Sequence, residues 1–166
     1  MVTSADESAE WVTGDHSATA QWDYATQGTV ASHKVWRQEQ LQFSETNQQA
    51  DWGYWYWSTK NAPGMTYQSG QDAVVRGAFV SNGVLANTQD TNYRAINDNW
   101  PVFGFATDIG SVTGSVNTVY SLGLTQEEAI QFDGATGVVP VTSLWTSYFG
   151  SETDAVRVFN SHLESC

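Results

Sequence analysis

The sequence predicts an all-β protein, an antiparallel β-sandwich with a short internal helix and a C-terminal helix. Three observations lead there. Short stretches of alternating or aromatic residues recur along the chain, divided by turns rich in Gly, Pro, Asn and Asp. Helical spacing is confined to two places, near residues 72–82 and 152–163. The densest apolar stretch, Trp52-Gly53-Tyr54-Trp55-Tyr56-Trp57-Ser58-Thr59, holds five Trp or Tyr in eight residues. Such rings suit a pleated, half-buried surface.

Taken in order, residues 10–13 and 18–24 read as two strands around the polar turn Gly14-Asp15-His16-Ser17. Residues 29–43 form a longer strand-like stretch. Its apolar parity switches between Arg37 and Gln40, which predicts a bulge or bend. The aromatic strand follows, with Trp52, Tyr54 and Tyr56 on one face and Trp55 and Trp57 on the other. After the turn Asn61-Ala62-Pro63-Gly64, residues 65–68 are expected to pair back on it as a hairpin.

Val75 and Phe79 lie four apart, with Asp72 placed to cap and Gly83 to stop, so residues 72–82 read as a short helix. The run from Trp100 to Ala106 reads as a central strand, and residues 116–124 as another. Thr125-Gln126-Glu127-Glu128 suggests one helical turn, and residues 129–132 and 138–141 two short strands. Ser151-Glu152-Thr153-Asp154 is a capping box with Asp in the last place, opening an amphipathic helix over residues 152–163. One β-sandwich domain over residues 1–142, with a helical segment 143–166 packed on or trailing it, accounts for the pattern.

Six Lys and Arg stand against 18 Asp and Glu in the 166 residues, a formal net charge of −12. Phosphate neutralisation needs a basic footprint, so a nucleic-acid partner is not expected. No apolar run is long enough for membrane insertion as a helix. The N-terminal residues lack the basic and apolar regions of a signal peptide, although the polar, uncharged, Trp-rich composition is that of secreted β proteins. The one cysteine, Cys166, rules out an intrachain disulfide and is a candidate for an intermolecular one.

Catalytic signatures are missing from the sequence. Gly110-Ser111-Val112-Thr113-Gly114 places its Ser one position too early for a nucleophile elbow. His16, His33 and His162 are scattered, without the spacing of a helical zinc site. Asp90-Thr91-Asn92-Tyr93-Arg94-Ala95 starts like a calcium loop but carries Arg94 at the fifth position and Ala95 where Gly is needed. The structural reading of that loop pairs Arg94 with Asp90 or Asp98, and pins it against Trp100 or by cation–π contact on a Trp or Tyr ring. Acid pairs for glycoside hydrolysis always exist among 18 carboxylates, and none has a recognisable context. Neither a cofactor nor a metal is expected.

Further segments resemble a known family. They are Ala9-Glu10-Trp11-Val12-Thr13-Gly14-Asp15, Asp51-Trp52-Gly53, Gly77-Ala78-Phe79, Ser147-Tyr148-Phe149 and, most specific, the stretch from Asn87-Thr88-Gln89-Asp90 through Asn99-Trp100-Pro101-Val102-Phe103. Together they resemble the secreted fungal glutaminase A family over nearly the whole chain. The resemblance implies the large β-sandwich region, part of a supersandwich, that precedes the helical catalytic domain in those enzymes. It also implies that the family's first strands are missing and that the glutamine-hydrolysing residues belong to the later toroid, so none is carried over. A stand-alone protein of this kind also resembles the Poria-type fungal immunomodulatory proteins.

The sequence therefore leads to a non-catalytic, secreted β-sandwich that works by surface binding. Its expected partners are a second copy in a homodimer and a cell-surface receptor or glycan. Trp52, Tyr54 and Tyr56 are the candidate ligand or subunit contact, Asp90, Arg94, Asp98 and Trp100 the structural loop, and Cys166 the intermolecular bridge. A glutaminase-like amidohydrolase remnant and a carbohydrate-binding module are the competing readings.

Overall fold

The computed structural model describes residues 1–163. The chain runs β1 (Val2–Ser8), a 3₁₀ turn (Ala9–Val12), β2 (Thr19–Gln27), β3 (Val30–Arg37), β4 (Glu45–Thr46), β5 (Gln49–Ala50) and β6 (Tyr54–Lys60). It continues with β7 (Met65–Gln71), α1 (Asp72–Asn82), β8 (Arg94–Ala95), β9 (Pro101–Asp108), β10 (Tyr120–Thr125), β11 (Glu128–Gly134), β12 (Gly137–Thr142), a second 3₁₀ turn (Leu144–Ser147) and α2 (Glu152–Leu163).

Two antiparallel sheets make the sandwich. One has the order β1-β9-β7 and the other β10-β6-β3-β2-β8. Their inner faces meet in one aromatic core, where Phe103 and Phe105 of β9 reach Trp22, His33 and Trp57 across the gap at ring separations of 4.8–6.1 Å. Alternation along β9 turns Val102, Gly104 and Ala106 to its outer side, where α1 packs through Val75. A Cβ on Gly104 would stand 3.2 Å from Leu85 and Val75, so glycine is what lets the helix lie close. The central strand predicted over residues 100–106 is thus buried on both faces.

Both helices form where the spacing predicts them, although Asp72 opens α1 as its first residue and Gln71 stands at the N-cap with no side-chain cap bond. Gly83 ends α1 in the left-handed region at φ 69°, its amide donating to the Phe79 carbonyl. Ser151 caps α2 by accepting from the Asp154 amide at 3.1 Å, and returns its own hydroxyl hydrogen to the Asp154 carboxylate.

Strand pairing departs from the sequence reading in several places. Residues 10–13 form no hairpin with β2. They lie in the first 3₁₀ turn, capped by Ser8, because β3 and β8 occupy both edges of β2. β7 does not pair with β6 but with β9 in the opposite sheet, since β3 and β10 flank β6. The Pro63-Gly64 turn is therefore an arch between sheets rather than a hairpin. The long strand from residue 29 ends at Arg37, and the chain leaves the sheet through a bend at Gln38 and Glu39, the second of the two predicted alternatives, with no bulge. Thr125-Gln126-Glu127-Glu128 is no helical turn: Thr125 ends β10 and Glu128 begins β11. Trp52 and Gly53 precede the aromatic strand in a bend, and a Cβ on Gly53, at φ 95°, would lie 2.7 Å from the Thr125 carbonyl oxygen.

His33 lies in the middle of the sandwich, 1 % exposed, with Nε2 on the Gly104 carbonyl oxygen at 3.2 Å. Burial lowers its pKa to about 4, against smaller opposing effects of the Gly104 bond and of Asp23. The unfolded chain, with an ordinary imidazole, binds the extra proton first as the pH falls. The stability due to neutral His33 is therefore complete above pH 6.5 and lost towards pH 4, on the order of 3 kcal/mol. Urea denaturation at pH 7 and pH 5 should show about 2 kcal/mol of this loss in the wild type and a smaller pH dependence in His33→Gln. An equal dependence in both would contradict it.

Candidate functional site

β6 supplies the aromatic residues to both sides of its sheet. Trp57 points inward, stacked on Tyr120 at 5.1 Å, and Trp55 packs at the core margin 6.4 Å from Trp11. Tyr54 and Tyr56 point outward, opposite Thr125 and Gly123 of β10 in register. This inward and outward division is the one the alternation predicts. The three predicted contact residues do not form one open row, however. Trp52 packs on Phe43 at 4.7 Å in the bend. Tyr54 lies under the Lys34 ammonium, 3.7 Å from its ring centre. Tyr56 is 2 % exposed and roofed by α2. The physical reason is the helix itself, whose apolar side needs a surface and takes this face of the sheet.

Polar groups tie α2 down. Lys34 pairs with Glu152, and the second Glu152 oxygen accepts from Thr125 Oγ1 at 3.0 Å. Farther along, Asn160 accepts from Ser121 Oγ at 2.6 Å. Between these ties the helix stands off the sheet, leaving a cleft of about 610 Å³ bounded by β10, α2 and Trp145 and Phe149. Tyr56 lines it. Burial, with smaller contributions from the charge and the hydrogen-bonding approach of the Glu152 carboxylate, raises the phenol pKa well above its ordinary value, so the hydroxyl stays protonated.

The structural loop is built around Arg94, 8 % exposed. Its guanidinium donates to Asp90 Oδ2 at 2.6 Å, to the Asn92 carbonyl at 2.7 Å and to the Asp98 carbonyl at 2.9 Å. Asp90 is thus the ion-pair partner, and Asp98 contributes backbone while its carboxylate takes the Asn99 amide. The ring beneath Arg94 is Trp22, at 5.4 Å, and Trp22 Nε1 donates to the Asp90 carbonyl at 2.7 Å. Trp100, the ring expected there, instead meets His16 edge-on at 5.6 Å and is 39 % exposed. Cys166 lies outside the described residues.

Two features escaped sequence reasoning. Asp51, 1 % exposed, accepts from Arg37 at 3.1 Å, Ser44 at 3.1 Å and Thr46 at 2.9 Å, and from Thr13. Burial by itself would raise its pKa, but the three hydroxyls and the Arg37 charge outweigh that and hold it below the usual carboxylate value. These partners lie up to 38 residues away, so only the motif Asp51-Trp52-Gly53 hinted at it. The second feature is the open apolar face of the β11–β12 ribbon, whose two strands the sequence does predict at residues 129–132 and 138–141. Register pairs Ile130 with Val141 and Phe132 with Val139, placing four apolar side chains on one face, each 41–59 % exposed.

Comparison with known proteins gives the family. A family model described as a domain of unknown function, DUF5127, matches residues 4–166. The chain belongs to the DUF5127 family. Glutaminase A of Aspergillus oryzae is 55 % identical to this DUF5127 chain over 158 residues, which cover 94 % of the chain and 23 % of that protein. A probable glutaminase of Arthroderma benhamiae is 28 % identical over 172 residues, 95 % of the chain and 19 % of that protein. The DUF5127 chain thus spans less than a quarter of the curated relatives it matches, and the likeness to the glutaminase A family concerns that region only.

Removing one partner of the buried pair leaves the other charge stranded. Asp90→Ala should therefore cost roughly 3–5 kcal/mol in a denaturant titration, because Arg94 is buried beside it. A change below about 1 kcal/mol, the range of exposed pairs, would show that the loop does not depend on this contact.

Proposed function

We propose that this chain is a non-catalytic, secreted β-sandwich that acts by surface binding, with host immune cells as its target and a homodimer as its working form. The observation that carries the binding role is the β11–β12 ribbon. A two-stranded ribbon is marginal by itself in water, and its apolar face of Ile130, Phe132, Val139 and Val141 stands open. Residues 95–156 contain no Lys or Arg, so the area around it is apolar and acidic. The immune-cell target rests on the resemblance to Poria-type immunomodulatory proteins. The homodimer rests on Cys166 and on the need to cover the ribbon.

Light scattering at micromolar concentration should give a dimer mass for the wild type and a monomer mass for Phe132→Ser. The wild type measured with and without reductant, beside Cys166→Ser, separates a covalent dimer from one held by the ribbon. A monomeric wild type removes the homodimer from the proposal.

Identity of 55 % to Glutaminase A favours a second reading, in which the chain takes part in glutamine hydrolysis. The purified chain is expected to release no ammonia from glutamine. Turnover above a buffer control would replace the first reading with the second.

A further inference from the structure

We infer that the cleft between α2 and β10 binds a small, neutral, apolar molecule carrying a hydrogen-bond acceptor. Its volume of about 610 Å³ falls within the range of ligand pockets, roughly 300–1,000 Å³. The walls are Leu122, Trp145, Phe149, Val156 and Phe159, and none of the described lining side chains is charged. The floor is bare at Gly123, the register partner of Tyr56. A Cβ added there would meet nothing within 4 Å, which leaves the space above the strand open.

The polar atoms at the edge of the cleft narrow the ligand class. Ser121 and Asn160 satisfy each other, and Asn160 Nδ2 also donates to the Val156 carbonyl at 2.8 Å. Thr125 Oγ1 is taken by the Tyr54 carbonyl and Glu152, and Trp145 Nε1 by the Gln126 carbonyl. Tyr56 differs: it is 2 % exposed, and its hydroxyl, turned towards the Glu152 carboxylate, makes no close hydrogen bond among the described residues. Such a donor is costly to leave unmet, and a ketone, ester or ether oxygen would satisfy it. Net charge on the ligand is disfavoured because the lining offers no counterion, and an anion also meets Glu152 beyond Thr125.

Gly123 also supplies a clean test. Its φ is not in the left-handed region, and its position is open, so a larger residue can enter without backbone strain. The probe is Nile red, a neutral aromatic dye with a ring carbonyl. Wild-type protein should bind it saturably, with a blue shift in emission. Gly123→Leu, which fills the floor, should weaken binding roughly tenfold or more while leaving the unfolding midpoint unchanged or higher. Tyr56→Phe should weaken it roughly twofold to tenfold through the lost hydrogen bond, and serves as the second variant if Gly123→Leu disturbs folding. Phe132→Ser on the distant ribbon should bind as the wild type does. Absence of saturable binding, unchanged affinity in both cleft variants, or loss of binding in Phe132→Ser would overturn the assignment.

Discussion

β9 is the strand on which the rest of the structure depends. It must be apolar on both faces, because Phe103 and Phe105 build the sandwich core while Val102 and Ala106 carry α1. Between them Gly104 gives up its side chain so that Val75 and Leu85 can approach, and its carbonyl receives the buried His33. Rings meeting at tilted and edge angles, such as Trp22 on Phe103 and His33 on Phe105, supply large buried area in specific geometry. Each fully buried ring of this kind contributes about 2–3 kcal/mol over the exposed state. Packing does here what disulfides do in many smaller domains.

Outside that core, two charged centres order the loops. Arg94 gathers residues 90–98 over Trp22, and Asp51 gathers the segment between β3 and β6 onto Arg37 and Thr13. Asp51 accepts two bonds on each carboxylate oxygen and Arg94 donates through Nε and Nη1, and such pairing is the condition under which a buried charge is tolerated. Their effect is to close the sandwich edges with irregular backbone. The C-terminal region is held differently. α2 is tied to the sheet by Lys34–Glu152–Thr125 at one end and Ser121–Asn160 at the other. With polar ties at both ends, the helix roofs the sheet and turns apolar residues to the cleft left between them.

Helix limits were legible because caps and periodicity are local. Gly83 and Ser151 act through backbone atoms within a few residues of themselves. The inward and outward division of Trp55, Trp57, Tyr54 and Tyr56 was legible for the same reason, since alternation is a property of one strand. Pairing was not. Nothing in residues 61–68 shows that both edges of β6 are already filled, so the expected hairpin became an arch to β9.

The sequence by itself determined the all-β class, the two helices, the acidity and the membership suggested by residues 87–103. Tertiary structure alone decided which aromatic faces stay open. Trp52, Tyr54 and Tyr56 looked like one platform in one dimension, yet a helix begun almost a hundred residues later covers Tyr56. An uncovered apolar face lies instead on the β11–β12 ribbon, and an open cleft lies between α2 and β10. Exposure depends on what other segments bring to a face, and a strand's own residues do not carry that information.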